Sequence, residues 1–457
     1  MKRFLLFITV MCALHFSNAQ SVTGTWSGDL FVQGMKLPLV LHLHQQGDSL
    51  TATMDSPAQG ANGIPVSKVM FSGNELQFEI KVIQAVYKGT LAGDSIAGIF
   101  TQMGMSLPLT FKKGAAKPAN RPQTPKPPFN YQIEEVEFTN PADINTLAGT
   151  LTTPKDQKQF PVVVLITGSG DQDRDETLFE HKPFWVIADH LTKNGIGVLR
   201  LDDRGVGGST KGKEAGTTAG FATDIDAAVN FLTKRGYNNI GLIGHSEGGM
   251  IAPMVAAGNK NVKFIISLAG PGIDIYDLML KQTFDVTKSS GGSDSAAQAA
   301  TAQNQKIFGF VKDYKGSNFA QDVKAFLNTM PETDALKSLT PEQKQTVIDQ
   351  QVNMIASPWF QYFLKFSPQA YITKLKIPVL ALNGSKDIQV SAKENLAGWK
   401  LGLEKAGNKN YKIVELPNLN HLFQKAETGS VAEYGQIEET ISPEVLDIMT
   451  SWILKLK

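Results

Sequence analysis

One serine in this chain stands where a hydroxyl can be made into a nucleophile. Ser246 lies in Ile243-Gly244-His245-Ser246-Glu247-Gly248-Gly249, after the apolar run Asn239 to Ile243 and before the small-residue stretch Met250 to Ala257. A strand, a sharp turn and a helix are expected there. The flanking glycines let the turn close without side chains striking the neighbouring strand and helix. The spacing of glycine and serine alone arises easily by chance. The weight therefore falls on residues further along the chain. A serine hydroxyl needs a base to take its proton and an acid to hold that base. In strand-turn-helix hydrolases the acid and then the histidine come after the serine. His421 is the only histidine after Ser246, in the polar loop Pro417 to Phe423 behind the strand-like Tyr411 to Leu416. Asp387 comes after the apolar run Ile377 to Leu382 and a glycine turn, which can aim a carboxylate at that histidine. Asp313 and Asp349 sit in charged helical patterns that read as solvated surface.

Acyl transfer also needs N–H donors for the developing oxyanion, each worth about 3 to 4 kcal/mol. The backbone N–H of Glu247 is the first expected donor. The second is expected from Thr167-Gly168-Ser169-Gly170, with Ser169 donating and Gly170 as its neighbour beside the substrate, although the histidine-glycine sequence familiar at this loop is absent. Asp171 to Glu176 reads as a charged rim, either solvated or, with Glu247, able to anchor a substrate amine. Asp202 to Ser209 fits neither the P-loop nor the dinucleotide fingerprint and reads as a structural turn fixed by Arg204 and a carboxylate. Trp359, in Pro358-Trp359-Phe360, is either packing or a wall of the acyl pocket. No cofactor is required, and no metal is expected: His42 and His44 share a strand face but have no third ligand nearby.

These groups need rigid elements beneath them. From about Lys113 to Pro128, five prolines without an aliphatic run mark a semi-rigid linker. Beyond it, from residue 129 to 457, apolar strands (Val162 to Ile166, Gly197 to Leu201, Ile240 to Ile243, Phe264 to Leu268, Val379 to Leu382) alternate with helical stretches (Phe184 to Lys193, Phe221 to Thr233, Gly249 to Ala257, Glu444 to Leu454). That alternation is the signature of an α/β fold, a mostly parallel sheet flanked by helices. Between residues 272 and 357 the strands give way to helical segments, an insertion placed where a lid is expected. Residues 20–112 instead alternate with period two, as in Leu37, Leu39, Leu41 and Leu43 or Leu76, Phe78, Ile80 and Val82. Glycine turns divide them into roughly eight strands of a small antiparallel barrel or sandwich.

The 457 residues suggest two or three domains. Residues 1–19 combine Lys2 and Arg3, the apolar Phe4 to Phe16 and a small-residue end, so a signal peptide cleaved after Ala19 and a secreted or periplasmic protein are expected. Thr9-Val10-Met11 before Cys12 is a poor lipoprotein signal. Cleavage removes the only cysteine, which excludes disulfides and thiol chemistry, and takes Lys plus Arg from 44 to 42 against 43 acidic residues. That balance offers nothing to nucleic acid or an anionic membrane. No later stretch is apolar for long enough to span a bilayer. Oligomeric state is not legible.

Gly168-Ser169-Gly170 with Asp173-Arg174-Asp175, then Lys182 to Trp185, Asp202 to Ser209, Gly244 to Gly249 and Leu268 to Gly272, in that order, resemble the EstD-type carboxylesterases of the α/β-hydrolase superfamily. The resemblance covers residues from about 130 to the C-terminus. It implies an eight-stranded α/β-hydrolase fold and an esterase whose triad is Ser246, Asp387 and His421, acting on small-molecule esters. The β segment is similar to a small N-terminal domain found in some of these enzymes. Relatives also carry the label of serine aminopeptidase, so the resemblance leaves the scissile bond open. A non-catalytic binding protein on the same scaffold is the remaining reading, against which the intact Ser, Asp and His stand.

Overall fold

Residues that alternate between apolar and polar bury one face of each strand, and most strands of the N-terminal segment follow this rule. The computed structural model describes residues 21–456, apart from 33–34, 48, 60, 103–104, 116–118, 156 and 338. The expected signal peptide, residues 1–19, lies outside the described residues. The segment forms β1 (Gly24–Val32), β2 (Met35–Gln46), β3 (Ser49–Ser56), β4 (Ala61–Pro65), β5 (Lys68–Ser72), β6 (Glu75–Ile80), β7 (Ala85–Ala92), β8 (Ser95–Gln102) and β9 (Met105–Lys113). They make one nine-stranded sheet in the order β4-β3-β2-β1-β9-β8-β7-β6-β5. The sequence suggests about eight strands and leaves a two-sheet sandwich open, and both points are corrected. The short β4 has no fully buried residue, so it lacks the apolar alternation that marks the others. Trp26, Leu41, Phe78, Tyr87 and Phe111 are completely buried. The Tyr87 hydroxyl is not stranded there, because it donates to the carbonyls of Ile96 (2.9 Å) and Leu109 (3.2 Å). His42 is committed to Asp55, with Nε2 2.8 Å from Oδ2.

The chain divides into two units, and the second takes in residues 31–38 and 56–62 together with 117–457. Its sheet runs β10 (Tyr131–Asn140), β11 (Asn145–Pro154), β13 (Gly197–Leu201), β12 (Val162–Ile166), β14 (Ile240–His245), β15 (Val262–Leu268), β16 (Val379–Gly384), β17 (Tyr411–Leu416). The β10–β11 and β11–β13 pairs are antiparallel and the rest parallel. β10 escapes a pattern search because Glu134, Glu135 and Glu137 interrupt its apolar residues and most of its side chains face solvent. The central strands are apolar on both faces because both faces are covered. Val162, Val164 and Ile166 join one core with α2 (Thr218–Lys234), α3 (Gly248–Gly258) and α11 (Ala392–Lys405), while Val163 and Leu165 join the other with α1 (Pro183–Lys193) and the C-terminal helix Pro443–Lys455.

Between β15 and β16 the chain forms α4 (Ile275–Ser289), α5 (Asp294–Asp313), α6 (Phe319–Asn328), α7 (Asp334–Lys337), α8 (Pro341–Ala356), α9 (Pro358–Leu364) and α10 (Gln369–Ile372). α5, α6, α8 and α9 enclose a core of their own around Phe308, Val311, Val323, Ile355 and Phe360. Parallel register aligns the strand ends, pairing Ile166 with Gly244, His245 with Leu268 and Gly384 with Leu416. The loops after β12, β14, β16 and β17 therefore gather at one edge of the sheet, where open α/β sheets place their sites.

The proline-rich segment is no free spacer over its described length. Arg121 donates to the carbonyls of Phe179 (2.8 Å), Gly435 (2.8 Å) and Ile437 (3.1 Å). Gln123 holds both the N–H of Thr440 (2.6 Å) and the carbonyl of Ile441 (2.8 Å). Among the described residues, no helix is long and apolar enough to cross a membrane.

Candidate active site

The turn after β14 holds Ser246 at φ 52°, a left-handed conformation that costs a non-glycine residue on the order of 1 to 3 kcal/mol. Close packing enforces it. A Cβ on Gly244 would lie 2.0 Å from the carbonyl oxygen of Gly248, and one on Gly248 would lie 2.2 Å from that of Ile166. The Ser246 N–H is fixed to the carbonyl of Leu268 at 2.9 Å. The residues around Ser246 in the turn are buried, whereas Ser246 itself is partly exposed.

Asp387 and His421 meet across 34 residues of sequence, with Oδ2 2.8 Å from Nδ1. Oδ1 of Asp387 accepts the N–H groups of Gln389 and Val390, each at 2.8 Å, which fixes the carboxylate on its loop. Both side chains are nearly inaccessible. The His421 loop is shaped by Asn420, whose side-chain oxygen accepts the N–H groups of Leu422 (3.0 Å) and Gln424 (2.9 Å). Ser246 and His421 line one cavity of about 280 Å³, walled by apolar side chains including Leu178, Leu278, Met279, Phe363, Val390 and Leu422. Ser169 and Trp359 line it as well. Gly170 does not: it faces a neighbouring cavity of about 570 Å³, with Trp359 common to both.

The loop after β12 is clamped from below. The Gly168 N–H is consumed by Oε1 of Glu176 at 2.8 Å. The Thr167 hydroxyl donates to Oδ1 of Asp203 (2.8 Å) and the Gln172 N–H to Oδ2 (3.0 Å). Burial pushes the Asp203 carboxyl up to about 7, and the carboxylates of Glu176 and Glu247 add to the rise while the two hydrogen bonds oppose it. Among the described residues, nothing in the fold accepts the N–H of Ser169 or of Glu247.

The Glu247 side chain is buried and points at three neutral donors. The Thr218 hydroxyl reaches Oε1 at 2.6 Å, the indole N–H of Trp359 lies 3.1 and 3.2 Å from the two oxygens, and the Ser169 hydroxyl faces the same carboxyl. Burial raises its pKa above the usual carboxylate range and these hydrogen bonds only partly offset the rise. Trp359 thus both walls the cavity and hydrogen-bonds, and it stacks on Phe363 with 4.9 Å between ring centres.

The charged stretch 171–176 is not a solvated rim, for only Asp171 is exposed. Arg174 grips the buried Asp202 through two side-chain bonds of 3.0 and 2.7 Å and also reaches Glu135. Asp175 pairs with Arg200 and with Lys182 (3.2 Å). Glu176 meets His245 at 2.9 Å. Arg174, Asp175 and Glu176 each have a partner remote in sequence, which is why the segment reads as surface from the sequence alone. Arg204 does fix the turn after β13, held between Asp143 (2.5 Å) and Asp224 (2.7 Å). His245, Glu176, Thr218 and Asp203 are the residues sequence reasoning misses. Only His245 carries a local signal, its place beside the nucleophile.

This sheet order and the strand-turn-helix around Ser246 are those of an α/β-hydrolase fold, and the sequence comparisons agree. A profile described as the alpha/beta hydrolase fold matches residues 161–424, and the chain belongs to that family. Esterase EstD of Thermotoga maritima is 27% identical over 383 residues, covering 82% of each chain. Among solved structures, the Pyrococcus furiosus esterase Pf2001 is 17% identical, covering 75% of this chain and 98% of its own, with a TM-score of 0.43. Est1E of Butyrivibrio proteoclasticus, solved with ferulic acid bound, is 17% identical over 70% of this chain and 98% of its own, with a TM-score of 0.40.

Proposed function

We propose that this α/β hydrolase is a carboxylesterase in which Ser246 is the nucleophile, His421 the general base and acid, and Asp387 the residue that orients the imidazole. One observation carries the reading: a left-handed Ser246 and the His421 that Asp387 holds line one cavity. His421 takes the Ser246 proton as Oγ attacks the ester carbonyl, and Asp387 stabilises the imidazolium. The oxyanion is received by the N–H groups of Glu247 and Ser169, a role supported by their lack of an acceptor in the fold. Collapse expels the alcohol with the proton from His421, and water activated by the same ring releases the acid. The cavity's apolar walls suit a short to medium acyl chain, and the helices from α4 to α9 form its lid, contributing Leu278, Met279 and Phe363 to the wall. Export through residues 1–19 belongs to the same reading, and an N-terminus near Gln20 on the native protein would agree with it.

The peptidase alternative needs an acidic anchor for a substrate amine. Glu247 is engaged by neutral donors and driven toward its neutral form, and Asp173 to Glu176 are paired within the fold. Esters should therefore exceed matched aminoacyl arylamides in kcat/KM by at least about a hundredfold, roughly 2.7 kcal/mol of transition-state stabilisation. A panel of chromogenic esters and arylamides on wild type, Ser246→Ala and Glu247→Gln tests this. Ser246→Ala should lose essentially all ester turnover, and more than about a hundredth of wild-type rate remaining would refute the triad. Arylamide turnover equal to ester turnover, and lost in Glu247→Gln alone, would establish the peptidase instead.

A further inference from the structure

Beside the proposed triad, on the wall of the same cavity, lies a second histidine–carboxylate pair that the esterase reading leaves without a task. His245 and Glu176 are both buried, 69 residues apart in sequence, with Nδ1 2.9 Å from Oε1. The other ring nitrogen, Nε2, lies 3.0 Å from the backbone carbonyl oxygen of His421. The two histidine rings are 4.9 Å apart. The same Oε1 of Glu176 accepts the N–H of Gly168 in the loop beside Ser169. Three parts of the site therefore meet on two side chains: the base, the nucleophile turn and the oxyanion loop.

Counting protons sharpens the picture. A carbonyl oxygen only accepts, so Nε2 must carry hydrogen. Contact between Nδ1 and the carboxylate needs one more proton, on the ring or on the acid. The pair thus holds one proton beyond neutral imidazole plus ionised carboxylate. Burial works against a charged ring, but Glu176, the His421 carbonyl and Asp387 together raise the His245 pKa above its ordinary value, consistent with an imidazolium donating in both directions. Glu176 is itself held at φ 51°, a left-handed conformation that non-glycine residues keep only when their surroundings fix them.

We propose that His245 and Glu176 are positioning residues that share one proton and tie the His421 carbonyl to the Gly168 N–H, setting the base and the oxyanion loop around Ser246. The proposal rests on the triad reading above. It requires no contact with substrate. Loss of the pair should leave the cavity able to bind but let base and donors drift from their working distances, and small misplacements are costly in rate.

The test is steady-state kinetics on butyryl and hexanoyl esters with His245→Ala, Glu176→Ala and the double variant, each rate divided by sites counted with a fluorophosphonate probe. Each single variant is expected to lose about 10- to 100-fold in kcat per titrated site, with KM within about threefold of wild type. The double variant should be no worse than the worse single, since the two act as a unit. Glu176→Gln keeps an acceptor for Gly168 and should keep at least about a third of wild-type kcat. It serves also where the alanine variants fail to fold. Wild-type kcat per site in His245→Ala and Glu176→Ala, with only the number of labelled sites or Tm reduced, would show a merely structural pair and overturn the proposal. So would additive losses in the double variant, or a Glu176→Gln variant as slow as Glu176→Ala. Ser246→Ala run alongside separates the two readings. If it stays active the triad is wrong, whereas an inactive Ser246→Ala beside unimpaired pair variants refutes only the pair.

Discussion

At the scale of single residues, the site is governed by what burial does to acids. Asp203 has its folded pKa near 7, well above its value of 3.8 in an unfolded chain, so folding takes up a proton between about pH 4 and 7. Whatever stability the group contributes is present at acid pH and is lost as the pH rises through 7. Asp203→Asn should remove that loss. Its amide can present oxygen to the Gln172 N–H and nitrogen to the Thr167 hydroxyl, which is free to turn and accept. Urea unfolding is expected to find the variant more stable than wild type at pH 8, with the difference shrinking as the pH falls through 7 toward 4 and gone below about pH 3.8; a constant difference would disprove the assignment. Asp387 lies in the same neighbourhood but with two backbone donors and His421 on its oxygens. Asp387→Asn should cost kcat orders of magnitude while costing less than Ser246→Ala, because the ring keeps its place but not its tautomer. Ser246, Asp387 and His421 are legible in the sequence as candidates because chain order leaves only one histidine after the serine. The environment of Asp203 and the pairing of His245 with Glu176 are not legible, since each depends on contacts between segments far apart in the chain.

At the scale of elements, the loops are held by ion pairs and the insertion by an indole. Arg174 is the counter-charge for Asp202, which is 4% exposed, so Arg174→Ala leaves a buried carboxylate without its partner. The expected cost is about 3 to 5 kcal/mol, read as a lower urea midpoint with unchanged slope. Trp359, on α9, joins the insertion to Glu247 and separates the cavity of Ser246 from its larger neighbour. Trp359→Ala should merge the two and raise the kcat/KM ratio of decanoyl to butyryl ester by roughly tenfold, whereas an unchanged acyl profile would show that the indole is packing only. Sequence patterning finds the central strands, each within two residues of its observed ends, because an uninterrupted apolar run can hardly be anything but a strand buried on both faces. The same reasoning passes over β10, where glutamates on a solvent-facing edge break the pattern, over β11, whose buried residues include threonines and a glycine rather than an aliphatic run, and over α11, where Leu396, Trp399 and Leu403 are buried among many polar residues.

At the scale of the whole molecule, composition announces two patterns but not where one ends. Residues 31–38 and 56–62 group with the second unit, and so does the chain from 117 onward. Every proposed catalytic group lies beyond residue 129, so a chain beginning at Phe129 should still label at Ser246 with a fluorophosphonate. It lacks Arg121 and Gln123, however, and should melt below a chain beginning at Ala119, by an amount reflecting hydrogen bonds worth about 1.5 to 3 kcal/mol each for the charged donor. Equal melting temperatures would mean that these contacts contribute nothing. The insertion between β15 and β16 has a different consequence. Pro331, Glu332 and Thr333 are exposed, and a break there leaves Ser246 on one piece and both Asp387 and His421 on the other. On the proposed triad, neither piece could turn over an ester by itself. The pieces share the β15–β16 ladder from Ile265–Val379 to Leu268–Leu382 and the small core of α5, α6, α8 and α9. The fold thus contains a ready-made split enzyme, whose hydrolysis rate would rise with the product of the two fragment concentrations and so count reassociation events in a single colour change.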